Sequence, residues 1–241
     1  MALVTRSPAV RRPDLHRSLY QTGIVLRSCI LVSATSSATS ASGGCQTEEM
    51  ADLTSLPQDL PVPVDDGAAS HLPGHRMPGL ELPATTGQHV RLDQFGAGRT
   101  VVYLFPRMGR PGQPLPTDWD LIPGARGCTP EACAFRDHHR DLAATGANVF
   151  GLSSQSTDYQ AEAVDRLHLP FALLSDTALE LAQALSLPTF DVDEQRLYQR
   201  LTLIVRDGVI EHVFYPVFPP DQHTQHVLAW LRAHPPTASS G

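Results

Sequence analysis

The 241-residue chain is 41% apolar and 18% charged, with 21 prolines and 17 glycines. All 18 of its basic residues are arginine, so composition excludes an imine-forming lysine and the lysine of a phosphate-binding loop. A formal charge of −7 argues against a general nucleic-acid binder, which presents a basic face, and no run of about 18 uncharged apolar residues offers a membrane-spanning helix.

Charge divides the chain near residue 50. Up to Thr47 stand Arg6, Arg11, Arg12, Arg17 and Arg27 against Asp14 alone, whereas from Met50 onward 13 of the 18 arginines face 22 of the 25 acidic residues. Residues 1–49 are rich in Arg, Ser, Ala and Thr and read as a disordered extension, or as upstream sequence ahead of a natural start at Met50. An organelle transit peptide shares that composition. A secretory signal does not fit, because Arg27 interrupts its apolar core. Cys29 and Cys45 fall in this extension and read as incidental. Residues 50–79, with Pro57, Pro61, Pro63, Pro73 and Pro78, read as an extended lead-in wrapping a folded unit over residues 80–234, and residues 235–241 as a disordered tail.

Within that unit residues 88–92 predict a short strand, and the apolar run 100–105, stopped by Pro106, predicts a strand buried on both faces. After a long Pro/Gly loop, Ala132, Phe135, His139 and Leu142 recur at helical spacing over residues 129–144. A strand over 148–152, a helix carrying Tyr159, Ala163, Val164 and Leu167, a strand over 171–174 and a helix over 177–185 follow. Residues 201–205 and 209–214 predict a β-hairpin turning at Asp207 and Gly208, and residues 222–233 a closing helix. This order predicts an α/β chain of thioredoxin-like fold, a mixed central sheet flanked by helices.

Two cysteines stand where chemistry is expected. Pro130 suits the first turn of a helix, which places Cys128 at its N-terminus, where unpaired N–H groups and the helix dipole favour a thiolate. Three readings of Cys128 and Cys133 remain open on these grounds: redox chemistry, inert buried thiols, or a metal site with the nearby His138 and His139. Zinc is the weakest of the three, since one C-x4-C spacing supplies only half of a closed ligand set.

The segment Gly127-Cys-Thr-Pro-Glu-Ala-Cys-Ala-Phe-Arg-Asp137 resembles the active-site segment of peroxiredoxins, specifically the peroxiredoxin Q or bacterioferritin-comigratory subgroup. The resemblance runs over roughly residues 74–231 and takes in Pro78-Gly-Leu-Glu-Leu-Pro83, Val101-Val-Tyr-Leu-Phe-Pro106, Leu174-Ser-Asp176 and Gln199-Arg-Leu-Thr-Leu-Ile-Val-Arg-Asp-Gly208. It implies a thiol-dependent peroxidase acting on hydrogen peroxide or organic hydroperoxides. By it, Cys128 attacks the peroxide and becomes a sulfenic acid, Cys133 resolves it as an intramolecular disulfide, and Arg200 lowers the thiolate pKa and holds the peroxide oxygens. The bland reading of Arg200 is a surface charge on a strand.

The resemblance further implies a thioredoxin-like dithiol protein as reductant, no cofactor, no nucleic-acid or membrane partner, and a monomer or homodimer. Because reducing compartments return thiols between turnovers, the expected address is cytoplasmic. The family's Pro-x-x-x-Thr/Ser-x-x-Cys pattern is broken, with Ala125 at the hydroxyl position and Leu121 at the proline position. An insertion over residues 107–127 explains the break. Thr117 and Thr129 are the hydroxyl-bearing residues left nearby, and a slower or differently selective activity is the expectation. His138 and His139 read as packing or surface groups, since ten residues of helix place them about 15 Å from Cys128. Asp118, Trp119 and Asp120 read as plain loop, with a lid or partner surface as the sharper reading. Two other functions compete: a thioredoxin-fold thiol–disulfide oxidoreductase, disfavoured by C-x4-C in place of C-x-x-C, and a non-catalytic redox-interaction module.

Overall fold

From its N-terminal side the chain forms a short hairpin, β1 (Glu81–Pro83) and β2 (His89–Arg91), and then the strand β3 (Arg99–Leu104). Helices α1 (Cys128–Asp137) and α2 (His139–Ala144), strand β4 (Ala147–Ser153), helix α3 (Thr157–Leu167), strand β5 (Leu173–Ser175) and helix α4 (Glu180–Leu185) follow. A second hairpin, β6 (Thr189–Val192) and β7 (Gln195–Tyr198), precedes the paired strands β8 (Leu201–Arg206) and β9 (Val209–Phe214) and the closing helix α5 (His223–Ala233). The computed structural model describes residues 53–235. The extension over residues 1–49 with Cys29 and Cys45, the expected start at Met50, and the tail beyond Pro235 lie outside them.

The central sheet has five strands in the order β5-β4-β3-β8-β9. β3, β4 and β5 run parallel, and β8 and β9 add antiparallel on the other side, which makes the sheet mixed. β3 is buried along its whole length, and its alternation decides both faces. Val102 and Leu104 pack with Leu152, Leu203 and Leu181 of α4, whereas Val101 and Tyr103 pack with Phe135 of α1, Ala163 of α3 and Val227 of α5. Helices therefore cover both faces, as a parallel strand pair requires. The lead-in also enters the core: Leu72 and Met77 are buried beside α4 and β8, and Arg76 bridges Val209.

The tight turn of the last hairpin is local in origin. Asp207 (φ 53°) and Gly208 (φ 71°) both take the left-handed conformation that a two-residue hairpin turn needs. Other elements departed from expectation. The helix expected over 129–144 breaks at His138, whose non-helical ψ ends α1 before α2 restarts. The helix expected from residue 177 starts at Glu180, because the Asp176 carboxylate accepts from the N–H groups of Glu180 (2.8 Å) and Leu181 (2.9 Å). β6 and β7 went unread because Asp193 and Glu194 turn the chain with positive φ and no glycine or asparagine marks it.

Gly151 sits where β4 passes under Tyr103. A Cβ there would stand 2.5 Å from Leu173 Cδ2 and 2.7 Å from the Tyr103 hydroxyl. Gly151→Ala is accordingly expected to cost about 1–3 kcal/mol by overpacking, read as a lower urea midpoint at unchanged slope. An unaltered midpoint would show that Tyr103 moves freely.

Candidate active site

The site is assembled where β3 ends and α1 begins. Beyond Leu104, Phe105 still bonds to the Leu152 carbonyl, after which Pro106 releases the chain from the sheet. Gln155, just past β4, then clamps the loop from both sides: its Oε1 accepts from the Met108 N–H (2.8 Å) and its Nε2 donates to the Met108 carbonyl (3.1 Å). The loop folds back as a 3-10 turn over Trp119–Leu121, with Trp119 buried against Ala125, Leu197 and Phe190. Gly127, at φ 103°, swings the chain into α1, and a Cβ there would collide with Pro220 and Leu56.

Cys128 is the first residue of α1 and is only 3% exposed. Arg200, in the two-residue link between β7 and β8, points its guanidinium straight at it, with Nη2 3.1 Å from Sγ. The same guanidinium donates to the carbonyls of Gly124 (3.3 Å), Ala125 (3.2 Å) and Arg126 (3.1 Å), and Nη1 is paired with Glu131 Oε2. One planar cation thus staples the approach to α1 and faces its first sulfur. Arg200 is buried, not a surface charge on a strand, because β7 ends and β8 begins on either side of it.

Burial opposes the simple helix-start argument about Cys128. Desolvation pushes its thiol up, the Arg200 charge opposes this, and the Glu131 carboxylate adds to the rise. Glu131 is itself wholly buried, its carboxyl driven up to about 7 by desolvation against the pull of Arg200. His223 is buried as well, with Nε2 2.8 Å from Thr202 Oγ1; burial and the Arg200 charge push it down to about 3, so it is neutral and leaves Arg200 as the cation facing the sulfur.

A buried cysteine at a helix start, faced by a strand-end arginine on a mixed sheet, is the arrangement that comparison with known proteins then explains. The Redoxin family model matches residues 72–229, which is most of the chain. The chain belongs to the Redoxin family. Within it, the likenesses fall among peroxiredoxins of the Bcp and Q kind. Peroxiredoxin Bcp of Escherichia coli (strain K12) is 29% identical over 169 residues, covering 67% of this chain and 96% of that protein. The chloroplastic peroxiredoxin Q of Sedum lineare is 28% identical, covering 66% and 77% respectively. Among solved structures, peroxidoxin BcpB of Mycobacterium tuberculosis is 27% identical with a TM-score of 0.55, covering 68% of this chain and 98% of that one. The thioredoxin-like fold and the peroxidase activity expected of the sequence accordingly hold.

Around this Redoxin centre, Cys133 lies further along α1, half-buried and a free thiol like Cys128. Burial raises it too, opposed by the neighbouring Arg136. The family hydroxyl position is filled by Ala125, whose carbonyl faces the Cys128 thiol at 3.6 Å. Thr129 lines the cleft beside Cys128, while Thr117 is exposed, its N–H donating to Asp193. His138 pairs with Asp141 and His139 packs on Phe171. Two further residues belong to the site, Glu131, which the sequence did not single out, and Trp119, which it read as plain loop. Glu131 carried a signal, an acidic residue one turn after the cysteine, but its burial is a tertiary fact. Trp119 forms a wall of the cleft instead of lying in a plain loop, and a tryptophan amid prolines was its only mark.

Proposed function

We propose that this thiol-dependent peroxidase works through Cys128 as the peroxidatic cysteine, Cys133 as the resolving cysteine and Arg200 as the group that holds the thiolate and the peroxide. The contact of Arg200 Nη2 with Cys128 Sγ at 3.1 Å carries the reading. The thiolate attacks the distal peroxide oxygen, the O–O bond breaks, and the departing oxygen takes a proton to leave as water or an alcohol. Cys133 then attacks the sulfenic sulfur; an S–S bond forms and water leaves. An external thioredoxin-like dithiol protein gives two electrons and two protons to restore both thiols. Such a cycle suits a reducing, cytoplasmic setting.

Stopped-flow mixing with hydrogen peroxide tests this: loss of the Cys128 thiol should precede a Cys128–Cys133 disulfide seen by mass spectrometry. Inert thiols, or oxidation only by a disulfide substrate, would overturn it.

The two cysteines share α1, which has a consequence. Five residues of helix separate them by about 7.5 Å along the axis and about 140° around it. A disulfide needs Cα atoms within roughly 4.4–6.8 Å and converging side chains. The first turns of α1 must therefore unwind for resolution, helped by Pro130, which contributes no donor to the segment being melted. Hydrogen exchange over residues 129–136 should lose protection on oxidation and regain it with reductant. Equal protection in both states, with the disulfide formed, would rule out unwinding.

A further inference from the structure

The insertion over residues 107–127 does more than join β3 to α1. What little surface Cys128 has opens into a cleft edged by Leu53, Arg107, Leu115, Trp119, Arg126 and Thr129. Two of these edges are apolar side chains that come from different segments and converge on one backbone point. Leu53, from the lead-in, places Cδ2 2.6 Å from where a Cβ on Gly109 would stand, and Leu115, from the insertion, places Cδ2 3.3 Å from the same point. Trp119 backs them as a fixed wall, buried and packed on Leu197 and Phe190. Leu56 lies 2.8 Å from the Cβ position of Gly127, so the lead-in is seated on the loop at a second place.

The remaining edges are polar and held. Arg107 donates to Gln195 Oε1 at 3.0 Å, and Arg126 is paired with Asp120 at 3.3 Å. The opening is thus a small cleft edged by polar groups and by the two leucines. The chemistry adds a direction. When the Cys128 sulfur attacks the distal oxygen, the O–O bond points away from the sulfur, and whatever substituent the peroxide carries must extend outward through the mouth.

We propose that Leu53 and Leu115 form a size filter over Cys128, selecting hydrogen peroxide over hydroperoxides that carry a branched or aromatic group on the oxygen. The proposal rests on the peroxidase reading of Cys128. Hydrogen peroxide has only a hydrogen beyond its proximal oxygen and passes the cleft. A cumyl or tert-butyl group must take the place of the leucine side chains, which means moving the lead-in. An apolar tail-binding groove is the opposite reading of the same leucines, but Leu53 rests directly on Gly109 and leaves no trough between them. A filter built from one or two side chains is expected to discriminate by about 10–200-fold.

The test measures second-order rate constants for Cys128 oxidation by hydrogen peroxide and by cumene hydroperoxide, in the full chain and in Leu53→Ala and Leu115→Ala. Thiol loss is followed by alkylation and mass spectrometry. The expected result is a wild-type ratio at least about tenfold in favour of hydrogen peroxide, narrowed several-fold by each substitution. A wild-type preference for cumene hydroperoxide, or a ratio unmoved in both variants, would overturn the filter and leave the peroxidase standing. Should Leu53→Ala fail to fold by circular dichroism, Leu115→Ala decides alone, since it lies on a separate segment. Oxidation of wild-type Cys128 by neither peroxide would overturn the peroxidase reading, and the filter with it.

Discussion

Cys128→Ser is expected to abolish peroxide consumption, a loss of several powers of ten, as when the nucleophile of other covalent catalysts is removed. A serine hydroxyl is a far weaker nucleophile than a thiolate. The substitution removes little packing volume, and the loop around it stays stapled by Arg200 through the Gly124, Ala125 and Arg126 carbonyls. The variant should therefore remain folded, and the loss is chemical. Cys29→Ser and Cys45→Ser serve as controls and should consume peroxide as the parent does. Retained turnover in Cys128→Ser would place the nucleophile elsewhere.

Removal of the cation should come second in size. Arg200→Met is expected to slow peroxide reduction by one or more powers of ten, each about 1.4 kcal/mol of barrier. The sign follows from the groups around the sulfur. Burial already drives the Cys128 thiol up, and Arg200 is the chief influence holding it down. Without that charge the thiol rises further, the thiolate fraction at any given pH falls, and the pH profile of alkylation by iodoacetamide moves to higher pH. Glu131 complicates the reading, because it shares Arg200 and is wholly buried. Left without its partner, an ionised Glu131 would be an uncompensated buried charge costing about 3–5 kcal/mol, so it takes up a proton instead. The double variant Arg200→Met with Glu131→Gln removes that burden and should recover stability while staying slow. If pKa and rate are both unchanged in Arg200→Met, Arg200 has no part in the chemistry.

Much of this was legible along the chain because the causes were local. The continuous apolar run of β3, stopped by Pro106, could only be a doubly covered strand. Asp207 and Gly208 specify their own turn, and Gly127 with Pro130 specify where α1 begins and so which cysteine heads it. Those signals fix the thioredoxin-like order of elements, and the motif around Cys128 points to the peroxidase. Elements whose signals were borrowed from their neighbours were not legible. The break at His138 has no proline or glycine to mark it, and the β6–β7 turn is made by Asp193 and Glu194 against their ordinary preference.

The electrostatics and the access to the site were decided in three dimensions. Arg200 stands 72 residues from Cys128 in sequence, and only the pairing of β8 beside β3 brings its link to the start of α1. The direction of the thiol's pKa depends on how much water is excluded, which depends on the loop over residues 107–127, on Glu131 and on the lead-in together. A helix-start argument sees the dipole and not the burial, so by itself it leaves out the desolvation that opposes the thiolate. Residue types and their spacing determined that Cys128 heads α1 with Cys133 on the same helix. How freely the sulfur ionises, and which peroxides reach it, follow from side chains far apart in the chain, because desolvation and steric closure are properties of the packed surroundings and not of any single segment.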